Sequence, residues 1–412
     1  MRDRRVSGVN MFDFTTIPDR RDHDALAVDD IGSAINPDAP HAPMPGFESI
    51  PMWVADMNFA TAPAVTRAIA RRLEHPLFGY FRPTDDYFNA IIDWQSRRND
   101  VTGLAAEHIG YENGVLGGLV SALRAFATSG ESILVHSPTY VGFTHAIEGA
   151  GYRIEHSPLT RDTDGVWRMD YEDMDRRLKA GNIHLAVFCS PHNPTGRVWE
   201  RSEIERAMEV YRANDCVVIS DEIWSDLILD AHHHTPTQSV SEDARNRTIA
   251  FYAPSKTFNL AGLVGSYHVV YDRYLRDRLE SSGARTAYNN MNVLSMHALI
   301  GAYSEDGEAW LDELLKVLSR NLRIGFDYFD AIEGVRLARP QGTYMLFLDC
   351  EEWCRAHGLA MDELLRQGWD VGIGWQDGRA FGGDWTIRMN FALPLARVEE
   401  TMRRLDGHVF VP

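Results

Sequence analysis

Residues 184–196 read His-Leu-Ala-Val-Phe-Cys-Ser-Pro-His-Asn-Pro-Thr-Gly. The stretch His184–Cys189 is almost continuously apolar, which marks a strand covered on both faces. Pro191, Pro194 and Gly196 then break it with a polar turn. The same arrangement recurs twice downstream. Cys216–Ser220 runs into Asp221-Glu222, and Thr248–Tyr252 runs into Ala253-Pro254-Ser255-Lys256-Thr257. Ser132–His136 and Tyr267–Tyr271 are further strand candidates. Helical spacing appears at 170–180 and again from Ser202. Apolar strands alternating with helices predict an α/β fold, a mainly parallel sheet between helices. The pairing order is not encoded in this pattern.

On the N-terminal side, residues 11–50 are polar and rich in Asp and Pro, and read as an irregular arm with little core of its own. Helical spacing follows at 62–74, where Val65, Ile69 and Leu73 are four apart, at 86–98 and at 117–128. Beyond about 285 the pattern changes to α+β. A helical region spans 289–331, followed by a strand at Tyr344–Leu348, a helix near 361–367 and short strands near 370 and 386–391. The expected organisation is an arm (1–60) joining a small domain (289–412), and a large domain (61–288) between them.

The chain has 412 residues, 41 Lys plus Arg against 59 Asp plus Glu, and a net charge of −18. That balance argues against nucleic acid and anionic membranes, since both need clustered basic residues. No apolar run approaches the roughly 20 residues of a membrane span. Met1–Asn10 is basic but has no apolar centre, so it is not read as a signal peptide, and a cytoplasmic protein is expected. Four cysteines are too few for a disulfide framework and read as packed free thiols, including Cys350 and Cys354 on one helix face. His232-His233-His234 reads as a solvated loop, because adjacent imidazoles cannot all face one ion. No metal site is expected.

In parallel sheets, ligands collect beyond the carboxyl ends of the strands. Asn193, Asp221 and Lys256 each follow such an end and would converge on one crevice. Pyridoxal phosphate needs these groups together: an amine that bonds it, an acid facing its ring nitrogen and a donor to its phenolate oxygen.

Here the residues resemble the fold-type I pyridoxal-phosphate enzymes, the class I/II aminotransferase group, and within it the C–S lyase branch (cystathionine β-lyase-like). The resemblance spans about 47–395. Its segments are Pro51 to Met57, Phe78-Gly79-Tyr80, Ser190 to Trp199, Ser220 to Leu227, Ala253 to Leu263, and Arg388-Met389-Asn390. It implies a pyridoxal-phosphate transferase-like fold and residue roles as follows. Lys256 would carry the cofactor and, once released, take the Cα proton. Asp221 would pair with the ring nitrogen, Asn193 with the phenolate, and Tyr140 would stack on the ring. Gly114, Val115 and Leu116, with Ser255, would hold the phosphate. Trp224 would lie beside the ring, and Arg388 would take the substrate carboxylate. Trp53 and Asp56 would lie near the substrate side chain, and Tyr80 would reach into a partner's site in a homodimer.

The sequence departs from the family pattern in places. Trp224 stands where aminotransferases of this group commonly have Tyr and the lyases often have His. Val264 stands where many aminotransferases have a phosphate-binding Arg. Asn58 replaces an Asp usual in the lyase motif, and Met1–Asn10 has no counterpart. The expected activity is β-elimination from a sulfur amino acid, giving pyruvate, ammonia and a thiol. The alternatives are an aminotransferase and a regulatory binding protein on the same scaffold.

Overall fold

The computed structural model describes residues 11–286 and 290–411. The expected extension Met1–Asn10 and the expected boundary between Tyr288 and Asn289 lie outside them. Among the described residues, a seven-stranded sheet runs in the order Ile109–Asn113, Gly265–Val269, Thr248–Tyr252, Val217–Asp221, Leu185–Cys189, Ser132–Ser137, Arg153–Pro158. Gly265–Val269 is antiparallel to both neighbours. The remaining pairings are parallel.

The five expected strands are present, displaced by no more than about two residues. The two edge strands are additional. Ile109–Asn113 and Arg153–Pro158 carry few apolar side chains because an edge has one strand neighbour and more contact with water.

Side chains alternate along each strand, so the sheet has two distinct apolar faces. Val135, Val187, Ile219 and Phe251 pack against helices Val115–Phe126, Val141–Gly149 and Arg273–Thr286. Leu134, Ala186, Phe188 and Val218 pack on the other side against Tyr171–Gly181 and Arg201–Ala213. Both faces are therefore dry, which explains the unbroken apolar runs.

A second sheet, antiparallel throughout, contains Arg336–Leu337, Met345–Asp349, Thr386–Asn390 and Gln376–Asp377. The arm joins this region through Ile50–Pro51, which pairs in parallel with Ile373–Gly374. The arm also contributes to the common core. Phe14 is buried edge-on against Phe59, with ring centres 5.4 Å apart, and 5.5 Å from Trp310.

The helical region expected at 289–331 is two helices, Val293–Ala302 and Glu305–Asp330. Ser304 starts the second one: its hydroxyl accepts the Gly307 N–H at 3.2 Å. Glu305, Asp306 and Glu308 then face the positive end of the helix. A Cβ on Gly307 would lie 2.0 Å from the Ala302 carbonyl oxygen, so the tight turn requires glycine. All four cysteines are free and buried, and burial pushes their thiols up. Among the described residues, no helix is long and apolar enough to cross a membrane.

Phe14→Ala removes a buried ring whose neighbours belong to two distant helical and loop segments. It is expected to lower unfolding free energy by about 3 kcal/mol, measured by urea unfolding. A loss below about 1 kcal/mol would show that the arm is only draped over the core.

Candidate active site

Three chain segments end at one cleft because three neighbouring strands end on the same edge of the sheet. Asp221 is the last residue of Val217–Asp221. Lys256 lies in the single helical turn Pro254–Thr257, two residues beyond Thr248–Tyr252. Asn193 follows Leu185–Cys189. The cleft wall also includes Tyr140, Trp224 and Ser255, together with Gly114, Val115 and Leu116. Nine residues expected around a cofactor thus border one cavity.

Lys256 Nζ donates to the Ala55 carbonyl at 3.0 Å and lies 5.8 Å from the centre of the Trp224 ring. Burial lowers its pKa to about 8, and the Arg388 charge acts in the same direction. A larger fraction of neutral, nucleophilic amine follows. Asp221 moves the other way. Burial raises its carboxyl to about 7, against the Ile223 N–H and the Lys256 charge, which favour the carboxylate. The Ile223 N–H meets Oδ1 at 3.1 Å. Among the described residues, Oδ2 has no hydrogen-bond partner.

Helix Val115–Phe126 begins at Gly114, whose φ of +75° is a conformation that favours glycine. The first N–H groups of the helix have no intrahelical partner and carry the positive end of its dipole. They border the cleft, with Ser255 nearby, and the combination suits a phosphate. Val264, in the same wall, is held at φ +59°, an uncommon conformation for a β-branched residue.

Arg388 is fully buried in the strand Thr386–Asn390. Nη1 donates to Asn193 Oδ1 at 3.0 Å, and Nη2 donates to the Trp53 carbonyl at 3.0 Å and to Gln376 Oε1 at 2.5 Å. The guanidinium stands 4.4 Å from the centre of the Phe381 ring. Burial lowers its pKa to about 10. Among the described residues its buried Nε has no hydrogen-bond partner, so one donor is unspent. Asn193 accepts this bond through its oxygen, and its side chain belongs to a residue of the cleft wall.

The surroundings of Trp53, Asp56 and Tyr80 differ from one another. Trp53 meets the site through its carbonyl, while its indole N–H donates to Ala27 of the arm at 2.9 Å. Asp56 is paired with Arg20 at 2.6 Å, so its carboxylate is already engaged. Tyr80 is fully exposed beside Phe78 and Phe81, away from this chain's own cleft. Trp224 is buried with its ring edge-on to Tyr344, ring centres 4.8 Å apart.

Several residues were not anticipated. Asn259, at φ +56°, holds Met57 by both its amide oxygen and its amide nitrogen, tying the lysine loop to the segment that offers Ala55. Asp226 accepts from Trp94 at 3.0 Å and from Thr257, the residue after Lys256, at 2.9 Å. A carboxylate inside the mostly apolar run 223–229 was the available signal. Gln376 gave none, since its role depends on strand pairing with Arg388.

The histidine triplet requires a correction. His232 and His233 are exposed, but His234 is buried, with Nε2 2.8 Å from Glu222 Oε2. The loop turns inward there because a buried carboxylate needs donors.

The two central titrations work in opposite directions on the cofactor-free protein. Between 3.8 and about 7 the native state holds a proton on Asp221 that the unfolded chain has lost, so stability falls as pH rises. Between about 8 and 10.5 the unfolded chain holds a proton that native Lys256 has lost, so stability rises with pH. That second gap corresponds to about 3 kcal/mol. Lys256→Met is expected to remove the rise, read from denaturant unfolding at pH 7.5 and about pH 10.5. Parallel pH dependence in both proteins would overturn the assignment.

With the geometry established, comparison places the chain among known proteins. Residues 50–405 match the family described as aminotransferase class I and II. The chain is 34% identical to cystathionine beta-lyase PatB of Bacillus subtilis (strain 168), over 87% of this chain and 92% of that protein. It is 30% identical to protein MalY of Escherichia coli (strain K12), over 85% and 89%. Among solved structures, cystalysin from Treponema denticola, which contains pyridoxal 5'-phosphate, superposes with a TM-score of 0.87 at 30% identity, covering 96% of this chain and 98% of that one. The pyridoxal-phosphate-bound C–S lyase from Staphylococcus hominis also gives 0.87, at 26% identity, covering 98% and 99%. This chain belongs to the class I and II aminotransferase family.

Proposed function

We propose that the protein is a pyridoxal-phosphate-dependent lyase that eliminates sulfur from the β-carbon of an L-amino acid, giving pyruvate, ammonia and a thiol. The observation that carries the reading is the shared cleft: an amine of lowered proton affinity, a buried acid with a free oxygen and an anion-binding helix start all border it. The lyase names of PatB and of the Staphylococcus hominis structure support elimination over transamination.

When bound, pyridoxal phosphate supplies an electron sink for negative charge at the substrate Cα. Lys256 would hold the cofactor and, as a free amine, would take the substrate Cα proton. The Ala55 carbonyl orients that amine. Asp221 would pair with the ring nitrogen and Asn193 with the phenolate oxygen, and Tyr140 and Trp224 would border the ring. Gly114, Val115, Leu116 and Ser255 would hold the phosphate. Arg388 binds the substrate carboxylate, held flat by Phe381 and aimed by Asn193, Gln376 and the Trp53 carbonyl. Burial makes each of these contacts stronger than it would be in water.

Tyr80 completes the site from a partner copy in this reading. Its full exposure, next to exposed Leu77 and Phe78, suits a homodimer with shared sites. Asp56, neutralised by Arg20, shapes the cleft entrance and does not bind a charged substrate group. The arm, large domain and small domain at 1–60, 61–288 and 289–412 belong to the same proposal, as does a cytoplasmic location.

Protein loaded with pyridoxal phosphate and given L-cystathionine, with no keto acid present, is expected to release pyruvate continuously with thiol in equal amount. Conversion of the bound cofactor to its amine form without pyruvate would establish an aminotransferase instead. Lys256→Ala should abolish turnover. Arg388→Lys keeps the charge but loses the two-pronged geometry, and should lower kcat/KM by about 10- to 100-fold through its carboxylate contact. An unchanged kcat/KM would remove Arg388 from the substrate site.

A further inference from the structure

Strand alternation places Asp221 and Glu222 on opposite faces. Asp221 follows the parity of Ile219, towards helix Val115–Phe126 and the cleft. Glu222 follows the parity of Val218 and Ser220, towards the other layer. There it is completely buried, among the least expected places for a carboxylate.

Donors surround it on every side. His234 Nε2 lies 2.8 Å from Oε2, and the Tyr252 hydroxyl donates to the same oxygen at 2.7 Å. The Ser220 hydroxyl and the Thr237 N–H donate to Oε1 at 2.9 and 3.0 Å. Burial alone would raise the carboxyl's pKa, but the His234 contact and the other donors outweigh it and hold Glu222 in its charged form. The remaining titratable groups within its field are Tyr267 and Tyr271, and His234 also acts on Asp226, favouring its carboxylate. Asp221 in turn faces Lys256, Tyr140 and Cys189 across the cleft.

A ligand cation paired with Asp221 therefore lies in the field of a second buried carboxylate, one residue along the chain and turned to the other layer. We propose that Glu222 is a positioning residue whose buried charge, acting through Asp221, keeps a proton on the ring nitrogen of the cofactor. The proposal rests on the pyridoxal-phosphate reading above. The arrangement is consistent with the way Glu222 disfavours a bare carboxylate at Asp221, which adds to the larger effect of burial. Neutralising Glu222 leaves Asp221 with less need of a protonated partner. Its four donors also fix the strand end, so a structural contribution has to be separated from the electrostatic one.

The test uses protein loaded with ring-¹⁵N-labelled pyridoxal phosphate, followed by ¹⁵N resonance and by cofactor absorbance against pH. Glu222→Gln is expected to lower the pH midpoint for ring-nitrogen deprotonation by about half a unit to one unit, three- to tenfold in proton affinity. Cofactor affinity should weaken more at high pH than at low pH. Glu222→Asp, which keeps the charge, should restore the midpoint. A merely structural role would lower stability in both variants and leave the midpoint unmoved, and that result overturns the proposal. Should Glu222→Gln not fold, Glu222→Met, uncharged and of similar length, takes its place: a midpoint lowered by about half a unit to one unit supports the charge, and an unmoved midpoint refutes it. Wild-type protein separates the two levels of argument. Failure to bind pyridoxal phosphate sinks the functional reading, whereas binding with an unmoved midpoint in the variants sinks only this inference.

Discussion

Asp221 is a carboxylate buried at the end of a strand covered on both faces, and the site is organised around the cost of putting it there. A charge in such a place needs partners or loses its ionisation. The protein offers Asp221 one backbone N–H and a lysine across the cleft, and leaves its second oxygen free. The result is an acid whose pKa is raised to about 7 by burial, in a cleft open to a ligand. The neighbouring Glu222 is treated in the opposite way, with four donors and no opening to the cleft.

The same cleft depresses the proton affinity of Lys256, and for the same reason. Removing water disfavours a charge of either sign, so acid and amine are both pushed towards their neutral forms. Arg388 is the exception, being too basic to lose its proton at neutral pH. Its charge is accommodated by the neutral oxygens of Asn193, Gln376 and Trp53 and by the face of Phe381. Among the described residues no carboxylate is hydrogen-bonded to it. These groups come from three separated parts of the chain, held together by the arm, the Met57–Asn259 clamp and the pairing of Ile50–Pro51 with Ile373–Gly374.

The central strands were legible because burial on both faces leaves an unbroken apolar run, and the turn residues after them stand out by contrast. The edge strands were not, because half-exposed strands carry mixed side chains. The helical region expected at 289–331 holds two helices, and helical spacing continues across a break that only the cap at Ser304 and the contact at Gly307 reveal. His234 was misjudged for a related reason. A triplet of histidines in a polar loop carries no sign of which ring will meet a buried carboxylate twelve residues away.

By itself, the sequence determined the α/β class, the strand ends that supply Asn193, Asp221 and Lys256, and, through its ordered motifs, the family. Those features are local: apolar runs, turn residues and spacings within a few positions. Only the tertiary structure decided how the groups act. It turned the Trp53 ring towards the arm, engaged Asp56 with Arg20, tied Arg388 to Gln376, and placed Glu222 with His234 on the far side of the strand end from the cleft. Each of these depends on which distant segments are brought together and on how much water is removed. Proton affinity and hydrogen-bond choice follow from that environment, which no local stretch of sequence contains.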